Sequence, residues 1–116
     1  MILKLVSKYW YQISLSILVV ITIASLIPLP ELPKVPGSDK THHFLAYGAL
    51  IFPVALRSPK YWPWLAVFFL AWSGAIELIQ PFVNRYGEWL DLLANAGGLA
   101  IGLTLGLLIK RIYFAR

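Results

Sequence analysis

The sequence predicts an all-α, polytopic membrane protein: a bundle of four transmembrane helices with both termini on the cytoplasmic side. Three observations lead there. Apolar residues make up 59% of the 116 residues and charged residues 13%, about half the charged share of an ordinary soluble domain. Four apolar stretches, each near the roughly 20 residues that carry a helix across a bilayer, are separated by short polar clusters. Seven of the ten Lys and Arg residues fall on the termini and the one connection that a four-span chain places on a single side. There is room for one domain, residues 1–116, and none for a large soluble enzyme. Cysteine is absent, which removes disulfides, thiolate catalysis and Cys-based metal centres.

The first span, residues 9–29, opens on Tyr9, Trp10 and Tyr11 and is closed by Pro28, Pro30 and Pro33. Lys4 and Lys8 resemble the start of a signal peptide, but the apolar stretch exceeds the usual ~7–15 residues and no Ala-x-Ala site follows, so it reads as a retained span. The second, residues 41–56, is short and carries Pro53, which predicts a kink near its far end. Ser38 or Asp39 would cap it. The third, residues 61–80, opens on Trp62 and Trp64, and the fourth, residues 89–109, leads into Tyr113 and Phe114. Such aromatics mark membrane interfaces. A Pro/Gly-containing linker over residues 28–40 and turns over 57–60 and 84–88 join the spans, and no internal repeat is visible.

Charge sets the orientation. With the N-terminus inside, Lys4, Lys8, Arg57, Lys60, Lys110, Arg111 and Arg116 are cytoplasmic, while Lys34, Lys40, Arg85 and all five carboxylates, Glu31, Asp39, Glu77, Glu88 and Asp91, lie on the outer half. The net +5 is therefore a topology signal rather than a nucleic-acid footprint.

Polar residues inside the spans concentrate at that outer level. Asp39, His43 and Tyr47 are spaced i, i+4, i+8, one face of the second helix. Ser73, Glu77 and Gln80 share a stripe on the third. An acid at the depth of Glu77 has to face protein or water, because a lipid-facing carboxylate costs several kcal/mol. On the fourth, Asp91, Asn95, Gly98, Gly102 and Gly106 run along one face; the glycines form a ridge that admits another helix closely, within or between chains. The polar stripes predict one pocket open to the outside, with Lys40 and Arg85 at its rim.

Residues 36–106 resemble the VanZ family of small bacterial membrane proteins, through the segment Asp39-Lys40-Thr41-His42-His43-Phe44-Leu45-Ala46-Tyr47, then Glu77-Leu78-Ile79-Gln80, Arg85, Asp91, Asn95, Gly98 and Gly102. Many members carry Pro-Gly before the arginine where this chain has Val83-Asn84. The family is named for a protein linked to resistance to the glycopeptide teicoplanin, and a proposed superfamily, Lipocone, groups it with phosphatidylserine synthases. The resemblance implies the bacterial cytoplasmic membrane and a polar signature on Asp39, Lys40, His43, Tyr47, Glu77, Gln80, Arg85, Asp91 and Asn95. It further implies action on phosphate-linked head groups of outer-leaflet phospholipids or polyprenyl phosphates.

On that expectation His43 is the base or nucleophile, being the side chain that changes charge near neutral pH, and Glu77 and Asp91 position it or water. Lys40 and Arg85 suit a phosphate; Asp39, Tyr47, Gln80 and Asn95 complete the pocket. Each has a structural alternative, a cross-helix hydrogen bond or local charge neutralisation, whereas His42 points about 100° away and reads as interfacial. No nucleotide fingerprint is present and no cofactor is expected; a divalent metal on Asp39, His43, Glu77 and Asp91 is a less favoured alternative, since the close spacing of zinc helices is missing. Expected partners are membrane lipids, with lipid-linked cell-wall intermediates or a glycopeptide as further candidates and no nucleic acid. Two rival functions stand beside the enzyme: a non-catalytic binder of lipid or glycopeptide, and an ion pathway, which the almost wholly apolar inner halves of the spans disfavour.

Overall fold

Each apolar stretch folds as a helix in the computed structural model, which describes residues 2–26, 39–83 and 89–113 apart from the side chains of Asp39, Lys40, Pro81, Val83, Trp89 and Leu90. The elements are α1 (Ile2–Lys8), α2 (Trp10–Leu26), α3 (Asp39–Arg57), α4 (Trp62–Ile79), which tightens into a 3-10 turn over Gln80–Val83, and α5 (Trp89–Tyr113). Among the described residues there is no strand. Two helical stretches, Trp62–Ile79 and Asp91–Tyr113, are long and apolar enough to cross a membrane, and α1 with α2 makes a third if that pair, bent by 80°, counts as one span.

The bend separates α1 from the predicted first span, and its pattern explains why. Ile2, Leu3, Leu5 and Val6 fall on one side of the short helix, Lys4, Ser7 and Lys8 on the other, so it turns at Tyr9, packs against α3 and leaves Ile2 and Leu5 exposed. The element also departs from the four-span expectation at α3, whose first turns carry Asp39, Lys40, His42 and His43. Its second half forms the centre of the molecule instead: Leu50, Ile51, Val54 and Ala55 are fully buried, against Leu18 and Ile21 of α2, Phe69 and Ile76 of α4 and Leu99 of α5. Among the described residues, large apolar side chains on the outside outnumber the apolar residues buried within. Val20, Trp64, Leu78 and Phe82 lie largely exposed, an arrangement unfavourable in water and natural in hydrocarbon.

The most extensive packing joins α3 to α5. Gly98 sits on the Phe44 backbone, Gly102 on Gly48 and Gly106 beside Ala55 and the Phe52 carbonyl. Positions advance together along both helices, so the two run parallel, and the ridge serves packing within the chain. α2 is fastened to α3 by the Ser14 hydroxyl, which donates to the Leu50 carbonyl at 2.8 Å, three residues before Pro53, where α3 loses a backbone donor. α3 nevertheless runs through Pro53 to Arg57 as one helix. It stops at Ser58, whose left-handed backbone (φ 49°) and hydroxyl bond to the Ala55 carbonyl at 2.6 Å close the helix. α4 is tied to α2 by Trp72 Nε1, which donates to Thr22 Oγ1 at 2.9 Å.

These connections gather Lys4, Lys8, Arg57, Lys60, Lys110 and Arg111 at one end of a molecule 49 Å long. The polar residues of α3, α4 and α5 gather towards the other.

The ridge yields a contrast between glycines. A Cβ at Gly98 or Gly102 would drive into backbone oxygen of α3, whereas one at Gly74 meets nothing within 4 Å. Backbone cannot swing aside as a side-chain tip can, so Gly98→Ala and Gly102→Ala are expected to cost at least the ~1–3 kcal/mol of an overpacked core. Gly74→Ala should be neutral or gain up to ~1 kcal/mol from helix propensity. Thermal unfolding of the three variants in one detergent checks this; equal midpoints would show that α3 and α5 do not touch through the ridge.

Candidate functional site

The site grows from the polar stripe of α3. His43 lies in the second turn of that helix, and the parallel packing brings α5 alongside at the level of Asn95. His43 Nδ1 is 3.0 Å from Asn95 Oδ1, while the Asn95 amide nitrogen donates to the Ser73 hydroxyl of α4. An amide oxygen only accepts, so with the Asn95 amide turned this way His43 carries its proton on Nδ1 and presents the other nitrogen, Nε2, away from Asn95. Nε2 faces Asp91 Oδ2 at 3.8 Å, one turn nearer the start of α5. That separation is too long for a direct hydrogen bond and short enough for one small polar group to touch both.

Ser73 is the hinge between the two sides of the cluster. It accepts from the Asn95 amide of α5 and stands near the Tyr47 side chain of α3, which also lies near Glu77 of α4. Tyr47, Ser73, Asn95 and Asp91 are all at most 2% exposed. The His43 side chain keeps 12% of its surface accessible, which makes it the member that something outside the bundle can reach. Asp91 stands in the first turn of α5, where the partial positive charge of the helix N-terminus helps to hold a buried carboxylate.

Gln80 takes a different place. It is buried at the end of α4, and its amide nitrogen donates to the Ser25 carbonyl of α2 at 3.1 Å, so it closes α4 against α2. Its Oε1 is buried without a hydrogen-bond partner among the described residues. Glu77 is half-buried, its charge near Tyr47. Asp39 and Lys40 begin α3, but their side chains, and the whole of Arg85, lie outside the described residues. His42 is half-buried and makes an interaction of its own. Among the described residues, no three of His, Asp and Glu gather closely enough to hold a metal ion.

Of the residues singled out from sequence, His43, Tyr47, Asn95 and Asp91 meet directly or through Ser73, and Glu77 stands beside them. Ser73 shared the α4 stripe in the sequence, but its part as the link was not read there. The available signal is generic: a hydroxyl in an otherwise apolar helix commonly bonds a neighbouring helix, and Ser14 and Ser73 both do so. The contribution of the Ser25 carbonyl has no side-chain signal, since any residue supplies one.

Apolar outer faces around a buried, hydrogen-bonded polar cluster define a helical membrane protein. The chain belongs to the VanZ/LLP1 family, whose model matches residues 1–110. No curated protein and no solved structure matches it. The family match reaches past the polar signature on both sides and takes in α1 and most of α5.

The link through Ser73 is testable by itself. Ser73→Ala removes the acceptor for the Asn95 amide. An interhelical bond in a membrane protein is worth about 0.6–1.7 kcal/mol, which is the expected loss. Ser73→Thr, which keeps the hydroxyl, should recover most of it. Denaturation midpoints in mixed micelles read the difference; an Ala variant as stable as the parent would remove Ser73 from the network.

Proposed function

We propose that the protein hydrolyses or exchanges phosphate-linked head groups of lipids, phospholipids or polyprenyl phosphates, in the outer leaflet of the bacterial cytoplasmic membrane. The reading takes α2, α3, α4 and α5 as four crossings with both termini inside. One observation carries it: a histidine held by Asn95 at 3.0 Å, with its second ring nitrogen 3.8 Å from a buried carboxylate and its edge still accessible.

In hydrolysis, a water between His43 Nε2 and Asp91 gives a proton to Nε2 as its oxygen attacks phosphorus. The phosphorus–oxygen bond to the leaving alcohol breaks, and the proton passes from the imidazolium to that alcohol. Asp91 faces the positive charge that forms on the ring, and Asn95 keeps the ring oriented in both protonation states. Exchange follows the same course with an incoming alcohol in place of water. Lys40 and Arg85 would bind the phosphate, and Tyr47, Glu77, Gln80 and Asp39 would complete the pocket. Further support comes from direction: α3 and α5 both begin at this end, and the positive ends of two helix dipoles favour an anionic substrate. Phosphoryl transfer needs little more than such positioning and charge. An effect on teicoplanin sensitivity would follow from altered envelope lipids.

The test is head-group release or exchange by the purified protein in nanodiscs, over a panel of phospholipids and polyprenyl phosphates, followed by mass spectrometry. Wild type should turn over at least one lipid, and His43→Ala should lose about 10²–10⁴-fold, the usual contribution of a general base. Asp91→Asn should fall less steeply. Lipid bound without turnover, insensitive to His43→Ala and lost in Arg85→Ala, would assign the protein to the non-catalytic binders instead.

A further inference from the structure

The opposite end of the bundle holds a feature that the polar cluster does not use. Between the starts of α2 and α4 lies an open groove of about 460 Å³, walled by Trp10, Tyr11 and Leu15 on one side and Tyr61, Leu65 and Phe68 on the other. Its lining is almost entirely apolar, and its size falls within the roughly 300–1,000 Å³ of ligand sites. Lys8 stands two residues before Trp10 and Lys60 directly before Tyr61, so a cation precedes the aromatic wall on each side. Lys8 Nζ lies 5.3 Å from the centre of the Tyr9 ring. α1 meets α2 at 80° and packs against α3, so Lys8 stands at the turn from which α2 begins rather than on a continuation of it. No Asp or Glu occurs in residues 1–30, 40–76 or 92–116, which include every described residue of this end, so among the described residues no acidic side chain opposes these cations.

We infer that this groove binds one anionic phospholipid of the leaflet at the basic end, its acyl chain between α2 and α4 and its phosphate at Lys8 and Lys60. Charge decides the occupant. An acyl chain gains little by leaving bulk hydrocarbon for an apolar groove, so a neutral phospholipid has no reason to stay, whereas an anionic head group meets cations that lack an acidic partner. The site lies at the far end from His43 and does not depend on what the polar cluster does.

The experiment uses the full chain in phosphatidylcholine nanodiscs doped with phosphatidylglycerol that carries a photoactivatable acyl chain. Cross-links should concentrate on the peptides bearing Leu15 and Leu65, and unlabelled phosphatidylglycerol should displace them at about one-tenth the concentration of phosphatidylcholine. Lys8→Gln with Lys60→Gln changes exposed or half-exposed side chains outside the core and should abolish that tenfold preference, since each surface cation is worth several-fold in affinity. Leu15→Trp, which fills the groove from an exposed position, should remove the groove cross-links while leaving the head-group chemistry at His43 unchanged. Cross-links spread equally over the outer faces of α4 and α5, equal competition by the neutral lipid, or a preference that survives the double substitution would each overturn the site and leave only annular lipid.

Discussion

The close parallel contact of α3 with α5 is the constraint on which the rest of the molecule depends. Two helices in hydrocarbon gain nothing from hiding apolar side chains, because lipid tails already solvate them, so association rests on how nearly the backbones approach. Gly98, Gly102 and Gly106 permit an approach at which a single methyl group would strike α3. That proximity fixes the offset between the helices, and the offset places His43 against Asn95 and Asp91 rather than one turn away. A displacement of one helical turn, about 5.4 Å, would move the histidine from Asn95 to the level of Gly98 or of Asp91 and break its bond to the Asn95 amide. Packing at the glycines and the placing of the histidine are therefore one geometric fact seen at two levels of the same helix pair.

Above the ridge the energetics reverse. A buried carboxylate and a buried amide are costly without partners, yet Asp91 and Asn95 are among the least accessible residues in the protein. Asn95 is satisfied across three helices, its oxygen by His43 and its nitrogen by Ser73, whereas Asp91 is held by the facing His43 ring at 3.8 Å and the start of α5, its Oδ1 making no hydrogen bond among the described residues. Such a network favours one arrangement of α3, α4 and α5, since a shift of register would break the bonds of Asn95 to His43 and Ser73 together. Gln80 performs the matching task for α2 through the Ser25 carbonyl, and Ser14 repeats it nearer the basic end. Hydrogen bonds thus supply the orientation that apolar contacts in lipid do not.

Much of this was legible in the sequence. Helical periodicity placed His43 and Tyr47 on one face of α3, and Asp91, Asn95 and the glycines on one face of α5, because a 3.6-residue repeat survives any tertiary context. The inference that the α3, α4 and α5 stripes face one another also rested on local physics, the cost of pointing Glu77 at lipid. What the sequence could not supply was pairing. Nothing in the spacing says that Asn95 rather than Glu77 holds His43, or that the glycine ridge is used inside the chain, because both depend on the offset between distant helices. α1 escaped for another reason: seven residues are too few for a periodic signal, and its lysines look like an ordinary positive flank until the 80° bend is seen. The first turns of α3 illustrate the opposite difficulty. Their charges fall short of the apolarity of a membrane-crossing helix, and only burial of the second half among α2, α4 and α5 accounts for a stable helix there.

The two ends of the molecule make complementary use of charge. At the cluster end, Asp91 and Glu77 lie within or beside the packed interior, where low polarity strengthens every interaction and makes geometry strict. At the other end, Lys4, Lys8, Arg57, Lys60, Lys110 and Arg111 sit on long side chains around helix ends, where flexibility and hydration weaken any single pair and only their sum has force. Rigid, paired charge suits a site that must hold one reacting group in one orientation. Exposed charge without acidic neighbours would suit the anionic lipid of a leaflet on the inference drawn for that end.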